Sequence, residues 1–277
     1  MLVRYLGTGA AEGIPALFCN CEFCKYARRE NIVRTRSQVL IDGELSIDFP
    51  PDAFMHGTNG GVDLSAIKYL LVTHSHMDHF YAHDFVLRGY KYAYKLTSPA
   101  LTIIGNREVE EVFHECTRRE LRGDVGENIS FLTLSSFSQI TFGKYTVTAL
   151  GARHSSKDPL VYLIEKEGKR ILHLTDTGLL PEEDYACLAR LKGKPCDLIT
   201  LDCTFLYDEA SPASRHMGLK ENAVVLERLK EIGLVGENTK KVITHFSHNS
   251  APAKERLLQA EKEFDVIAAY DGMTIEI

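Results

Sequence analysis

Residues 69–79 read Tyr69-Leu70-Leu71-Val72-Thr73-His74-Ser75-His76-Met77-Asp78-His79. The opening run is apolar and short, as a buried strand should be, and four potential metal ligands follow it within six residues. Imidazole and carboxylate together suit zinc, manganese or iron. Side chains two residues apart on an extended segment point the same way, so His74 and His76 can grip one ion. Asp78 and His79, where the chain turns toward a helix, can reach a second ion beside it. A pair of neighbouring metals is a hydrolytic device for phosphate esters and acyl bonds.

The bulk properties fit such an enzyme. The 277 residues are 44% hydrophobic and 25% charged, an ordinary globular composition that one domain or two could accommodate. Lys and Arg number 32 against 38 Asp and Glu, a net charge of −6. That balance argues against a general nucleic-acid surface, which needs clustered cations, and leaves room for a small phosphorylated substrate met by local cations or metals. The segment Met1-Leu2-Val3-Arg4-Tyr5-Leu6-Gly7 lacks the long apolar core of a signal peptide, and no run approaches a membrane span. A cytoplasmic protein without a membrane partner is expected. Seven cysteines are an odd number in a chain that needs no staples, so metal binding or burial should explain most of them rather than disulfides.

Strand-like runs recur at 2–6, 38–41, 45–48, 69–73, 101–104, 139–150, 160–165, 170–175, 198–202, 242–244, 266–268 and 273–277. Helical patterns interleave at 84–94, 106–122, 182–191, 220–232 and 251–263. This mixture predicts an α/β fold of sheets covered by helices. His154, Asp176 and His245 each follow a strand-like run, so one site draws on nearly the whole chain, and a single domain over 1–277 is expected.

The order His-x-His-x-Asp-His, then a lone His, an Asp and a His, resembles the metallo-β-lactamase superfamily in its two-metal hydrolase form. The resemblance runs from Gly7-Thr8-Gly9 to Asp271-Gly272-Met273. It implies a four-layer αββα sandwich with the metals at one edge of two packed sheets. It also assigns His74, His76 and His154 to the first metal and Asp78, His79 and His245 to the second, with Asp176 bridging both. The residue types agree, because a carboxylate can bridge two ions and a neutral imidazole cannot. A water shared by two cations loses its proton near neutral pH and becomes the nucleophile, with Asp78 also orienting it.

Cys19-Asn20-Cys21-Glu22-Phe23-Cys24 offers three thiolates from one tight loop, one short of a tetrahedral zinc site. His248, three residues after His245, is the expected fourth ligand of a structural zinc. A redox pair is the competing reading of Cys21 and Cys24, but no thioredoxin-like context surrounds them. The cysteine loop, the histidine cluster, Thr175-Asp176-Thr177 and His245-Phe246-Ser247-His248, in this order, are similar to the PhnP-type phosphodiesterases. Those enzymes hydrolyse cyclic ribose phosphates and carry a structural zinc on three Cys and one His. The same resemblance places His216, in Ser214-Arg215-His216-Met217-Gly218-Leu219, as the acid that protonates the leaving group.

The expected function is thus hydrolysis of small phosphate diesters with two catalytic divalent metals, zinc or manganese. Processing of RNA in the manner of tRNase Z is the nearest enzymatic alternative, although no Gly- and Lys-rich insertion supplies its basic arm. Thioester or lactone hydrolysis, and a PqqB-like accessory role without hydrolysis, complete the alternatives. Gly7-Thr8-Gly9-Ala10-Ala11-Glu12-Gly13 does not read as a dinucleotide loop, because the third glycine comes late and Pro15 intervenes. Arg36 and Arg88 are left outside the site as structural or solvated residues.

Overall fold

The computed structural model describes residues 1–191, 193–211 and 213–277. Strands β1 (Leu2–Gly7), β2 (Gln38–Ile41), β3 (Leu45–Ile47), β4 (Tyr69–Leu71), β5 (Leu101–Gly105) and β6 (Ile129–Thr133) join β14 (Met273–Glu276) in one sheet, ordered β14-β1-β2-β3-β4-β5-β6. Strands β7 (Gln139–Phe142), β8 (Tyr145–Gly151), β9 (Leu160–Lys166), β10 (Lys169–Leu174), β11 (Leu198–Asp202), β12 (Lys240–Thr244) and β13 (Ile267–Ala268) form the second, ordered β13-β12-β11-β10-β9-β8-β7. Each sheet is mixed. Strands β3 to β6 run parallel in the first, and β10 to β13 run parallel in the second.

Residue alternation explains why there are four layers. On β9, Leu160, Tyr162 and Ile164 face the core between the sheets, where they meet Val3, Tyr5, Ile47 and Leu71 of the first sheet. Val161 and Leu163, one residue out of phase, face the core on the outer side of the second sheet. That outer core is covered by α5 (Glu182–Arg190), α6 (Leu219–Glu231) and α7 (Lys254–Phe264), through Leu188, Val225, Leu229 and Leu257. On the other side, Leu70, Val72 and Ile103 pack against Val109 and Phe113 of α3 (Arg107–Thr117). A strand buried on both faces must be apolar at every position, which is why 69–72 and 160–164 read as unbroken runs. Each Leu or Ile so buried contributes roughly 1.5–3 kcal/mol. The chain is therefore an αββα sandwich, as expected. Within the middle layer, Tyr5 of one sheet and Thr200 of the other share a buried hydrogen bond of 2.6 Å.

Several local expectations change. Residues 139–150 form a hairpin, not one strand, because Gly143 (φ 52°) turns the chain between the paired residues Phe142 and Tyr145. Residues 84–94 do not make an α-helix. A tight 3₁₀ stretch at Ala82–Leu87 ends where Gly89 (φ 152°) and Tyr90 (φ 51°) leave helical backbone. Helix α3 stops at Thr117, short of 122, and a separate turn, α4 (Gly123–Gly126), follows. Strand β6 escaped notice because it is an edge strand with exposed polar positions. Two short helices, α1 (Glu22–Arg29) and α2 (Ala53–Thr58), lie outside the helical patterns expected from the sequence. Among the described residues no helix is long and apolar enough to cross a membrane.

Candidate metal centre

The centre sits at the carboxyl ends of parallel strands from both sheets. Asp48 follows β3, the His74–His79 loop follows β4, Asp176 follows β10, Asp202 closes β11 and His245 follows β12. Asp48, Asp176 and His245 leave their strands in left-handed backbone, at φ 61°, 55° and 64°. Non-glycine residues there are strained, and such strain persists where surrounding structure holds the side chain to a task. The two sheets are tied together beside the centre: the Ala10 amide donates to the Phe246 carbonyl (3.0 Å) and the Phe246 amide to that of Thr8 (2.9 Å). Within the first sheet, Gly7 lets β1 pass close to the chain ahead of β2, since a Cβ there would lie 1.9 Å from the Arg36 carbonyl oxygen.

The geometry brings together all seven residues expected at the catalytic metals. His74, His76 and His154 offer ring nitrogens within 4.8 Å of one another, and Asp78, His79, Asp176 and His245 form a second group of the same compactness. Asp176 stands between them. Its Oδ2 lies 3.3 Å from His74 Nε2, 3.0 Å from His79 Nε2 and 3.7 Å from His245 Nε2, and its Oδ1 lies 3.2 Å from His154 Nδ1. Asp78 Oδ2 is 3.2 Å from His79 Nε2.

The outer faces of these rings are held by other residues. Asp48 Oδ2 engages His79 Nδ1 at 2.6 Å, and the same carboxylate accepts the Thr73 amide and hydroxyl. Thr73 Oγ1 lies 3.0 Å from His74 Nδ1, and Thr204 Oγ1 lies 2.8 Å from His245 Nδ1. With Nδ1 occupied, Nε2 of His74, His79 and His245 is turned toward Asp176. This is how metal-ligating histidines are oriented.

A pair of divalent cations fits this donor set. His79 Nε2, His154 Nδ1, Asp176 Oδ1 and His245 Nε2 are buried polar atoms without a hydrogen-bond partner, and all face the centre. Orphaned buried polar groups are rare, and four converging on one point need a shared positive partner. The buried carboxylates draw positive charge to this point. Burial favours a neutral Asp176, but His245, His216 and His79 around it hold its carboxyl well below the ordinary range. Burial likewise opposes charge on His79, yet Asp48 and Asp78 raise its pKa well above the usual range, so a cation bound there would have to displace the Nε2 proton.

His216 joins the centre from the loop before α6. Its Nδ1 is 3.0 Å from Asp176 Oδ1 and 3.4 Å from Asp202 Oδ2. Burial works against the charged ring, and the Asp176 and Asp202 carboxylates beside it more than offset this, raising its pKa to about 10. The centre opens into a cavity of about 360 Å³ whose wall includes Glu12, His76, Phe205, His216 and Asn249.

Cys19, Cys21, Cys24 and His248 form a separate tetrad within the same 4.8 Å limit. His248 Nδ1 lies 3.6 Å from Cys21 Sγ and 3.4 Å from Cys24 Sγ. The Cys24 amide donates to Cys21 Sγ at the start of α1, and with His248 it lowers the Cys21 thiol to about 6. Helix α1 thus begins on the ligand loop, with Cys21 as its N-cap and Cys24 in its first turn.

Asp48, Asp202, Thr73 and Thr204 are the residues that sequence reasoning missed. A signal was present: Asp48 and Asp202 each end an apolar strand, as Asp176 does. Asp202 accepts from the Met217 amide at 2.8 Å, which fastens the His216 loop to the strand end. Arg36 instead pairs with Asp52 at 3.0 Å, and Arg88 donates to the Ser98 carbonyl at 2.5 Å, so neither lines the cavity.

Comparison with known proteins agrees with this architecture. A curated relative, the octanoyltransferase of Porphyromonas gingivalis, is 24% identical over 275 residues, covering 97% of this chain and 50% of that protein. The chain therefore spans about half the length of the curated relative it matches. Among solved structures, a diphosphatase of the PhnP family superposes with a TM-score of 0.74 at 20% identity, covering 100% of this chain and 96% of that one. Zinc-bound PqqB from Methylobacterium extorquens gives 0.74 at 16% identity, with 100% of both chains covered. The short form of human tRNase Z gives 0.63 at 18%, covering 100% of this chain and 99% of that one. At these identities the likenesses show the fold. The sequence profile of the β-lactamase superfamily domain matches residues 38–246, and the chain belongs to that superfamily, with the metallo-β-lactamase fold.

Proposed function

We propose that the chain, acting as one domain over 1–277, is a two-metal phosphodiesterase for small phosphate diesters of the cyclic ribose type. The observation that carries the reading is the convergence of unpartnered ligand atoms on Asp176, with His216 beside them. His74, His76 and His154 would hold one cation, and Asp78, His79 and His245 the other, with Asp176 between. When bound, two divalent cations supply Lewis acidity at the phosphorus and make water acidic near neutral pH. The chain's own part is to aim and to move protons. Asp48, Thr73 and Thr204 fix the imidazoles, Asp78 orients the attacking water, and His216 delivers a proton to the leaving oxygen. Asp202 keeps the His216 ring in place through Nδ1. Cys19, Cys21, Cys24 and His248 would hold a structural zinc, away from the reacting atoms.

A second reading, acyl-thioester hydrolysis, draws on the name of the curated relative, an octanoyltransferase. The fold shared with tRNase Z adds an RNA substrate to the panel. Protein supplied with zinc or manganese is assayed on bis(p-nitrophenyl) phosphate, ribose 1,2-cyclic phosphate, an octanoyl thioester and a precursor tRNA. Hydrolysis of the phosphodiesters, lost in His216→Ala for the ribose substrate, is expected. Turnover of the thioester or the RNA alone would replace the proposal, and a metal-replete protein inert on all four would have a non-hydrolytic role like that of PqqB.

A further inference from the structure

A line of buried polar side chains runs from α2 through β2 and β3 to Asp48. Ser46 Oγ lies 2.9 Å from the Asp48 carbonyl oxygen and 3.0 Å from Gln38 Nε2, and Gln38 Oε1 lies 2.5 Å from His56 Nδ1. His56 Nε2 in turn lies 2.8 Å from Thr35 Oγ1. Thr35, Gln38, Ser46, Asp48 and His56 are all buried. The end of the line fixes the direction of every proton in it. A carbonyl only accepts, so the Ser46 hydroxyl donates to Asp48. The Ser46 oxygen then accepts from the Gln38 amide nitrogen, which leaves Gln38 Oε1 to accept from His56 Nδ1–H. A neutral His56 therefore carries its proton on Nδ1, and its Nε2 accepts from the Thr35 hydroxyl. Asp271 Oδ2, 2.7 Å from the same hydroxyl, does not depend on it, because it also accepts the Thr35 amide at 2.7 Å. Burial outweighs the pull of Asp52 and lowers the His56 pKa to about 4, so the ring is neutral near neutral pH.

We infer that His56 is a positioning residue of the metal centre: its Nδ1–H, relayed through Gln38 and Ser46, holds the Asp48 backbone so that the Asp48 carboxylate meets His79. Asp48 stands in left-handed backbone (φ 61°), which a non-glycine residue keeps only where its surroundings hold it. The Ser46 hydroxyl holds its carbonyl, and its carboxylate grips His79 Nδ1 at 2.6 Å and the Thr73 amide at 2.8 Å. With the opposite tautomer, His56 Nδ1 would accept from the Gln38 amide nitrogen. Ser46 would then turn its proton to Gln38 Oε1, and the Asp48 carbonyl would lose its donor. His56 acts through these residues alone, since it borders a different cavity, of about 310 Å³, with Arg4, Asn59 and Gly272. The inference rests on the metal reading of the centre and is independent of which ester is cleaved.

Two measurements on the whole chain test it. Nitrogen-15 NMR of the zinc-loaded protein reads the His56 tautomer, expected to be Nδ1–H near neutral pH. Cobalt titration against a competing chelator reads metal affinity, because thiolate-to-cobalt charge transfer marks the cysteine tetrad apart from the His and Asp centre. His56→Leu should weaken affinity at the centre by about tenfold, and Ser46→Ala, which breaks the line at another link, should do the same. His56→Asn, whose side-chain amide supplies a donor in place of Nδ1–H, should keep most of the wild-type affinity. Unfolding of the metal-free variants is followed in parallel. A purely structural role would lower their stability and leave the metal affinity of the folded protein alone. The inference is overturned if His56 carries its proton on Nε2, or if His56→Leu and Ser46→Ala match the wild-type affinity. It is also overturned if His56→Asn falls as far as His56→Leu. A wild type that takes up cobalt only at the cysteine tetrad would remove the metal reading itself, and the inference with it.

Discussion

At the scale of single residues, Asp176 concentrates the functional load. It alone approaches His74, His79, His154, His216 and His245. Asp176→Ala is expected to abolish turnover and catalytic metal together, read by rate and elemental analysis. A variant that keeps full metal and full rate would refute its role. Asp48 acts at one remove. Removing its carboxylate frees His79 Nδ1 and leaves the buried Thr73 amide without its acceptor. Asp48→Ala should therefore weaken metal affinity by about 10–100-fold, the usual effect of losing such a support. Titration with a competing chelator measures it. The ligands were legible before the fold because histidines and an aspartate two residues apart after an apolar run have one economical use. Their supports were not, because an aspartate ending a strand looks the same whether it caps a turn or steers a ring.

At the scale of elements, the site depends on where strands end and on what pins the following loop. The β8 end, which leads to His154, is pinned by α5: the buried Asp184 accepts the Gly151 amide at 3.0 Å, while its other oxygen has no partner. Burial pushes the Asp184 carboxyl up to about 6. A folded-state pKa above the unfolded value means that the folded protein binds this proton more tightly. The contribution is thus present below about pH 4 and is lost as pH rises through about 6. Across that window the loss approaches about 2–3 kcal/mol. Asp184→Asn should remove this part of the pH dependence, seen as a flatter urea-unfolding stability between pH 4 and pH 7. An unchanged slope would show that Asp184 does not titrate there. Sequence reading gave the elements with continuous apolar runs their correct type, as at 69–73 and 160–165. It erred where glycine punctuates, at Gly89 and Gly143, and on the polar edge strand β6, where periodicity carries little signal.

At the scale of the whole molecule, the Cys19, Cys21, Cys24 and His248 tetrad joins the N-terminal loop to the segment following β12, more than 200 positions later. A zinc there would close a long loop around the catalytic cavity. Elemental analysis of fully loaded protein is expected to find about three metals per chain. Cys21→Ser should lose one of them and lower the unfolding temperature. Its kcat, per folded molecule, should fall far less than in Asp176→Ala. Loss of all three metals in Cys21→Ser would mean that the tetrad and the catalytic centre are one cooperative unit.

The sequence by itself determined the chemistry available to this protein: which side chains could ligate, in what order they come, and which runs were apolar enough to be buried. Those properties are local, set by residue type and short spacing. The tertiary structure alone decided which residues support the ligands, that His216 meets Asp202, and that Glu12 lines the same cavity as the metal ligands. These neighbours are brought together by the parallel arrangement of strands whose ends are distant along the chain. Only the packing of the two sheets places those ends side by side.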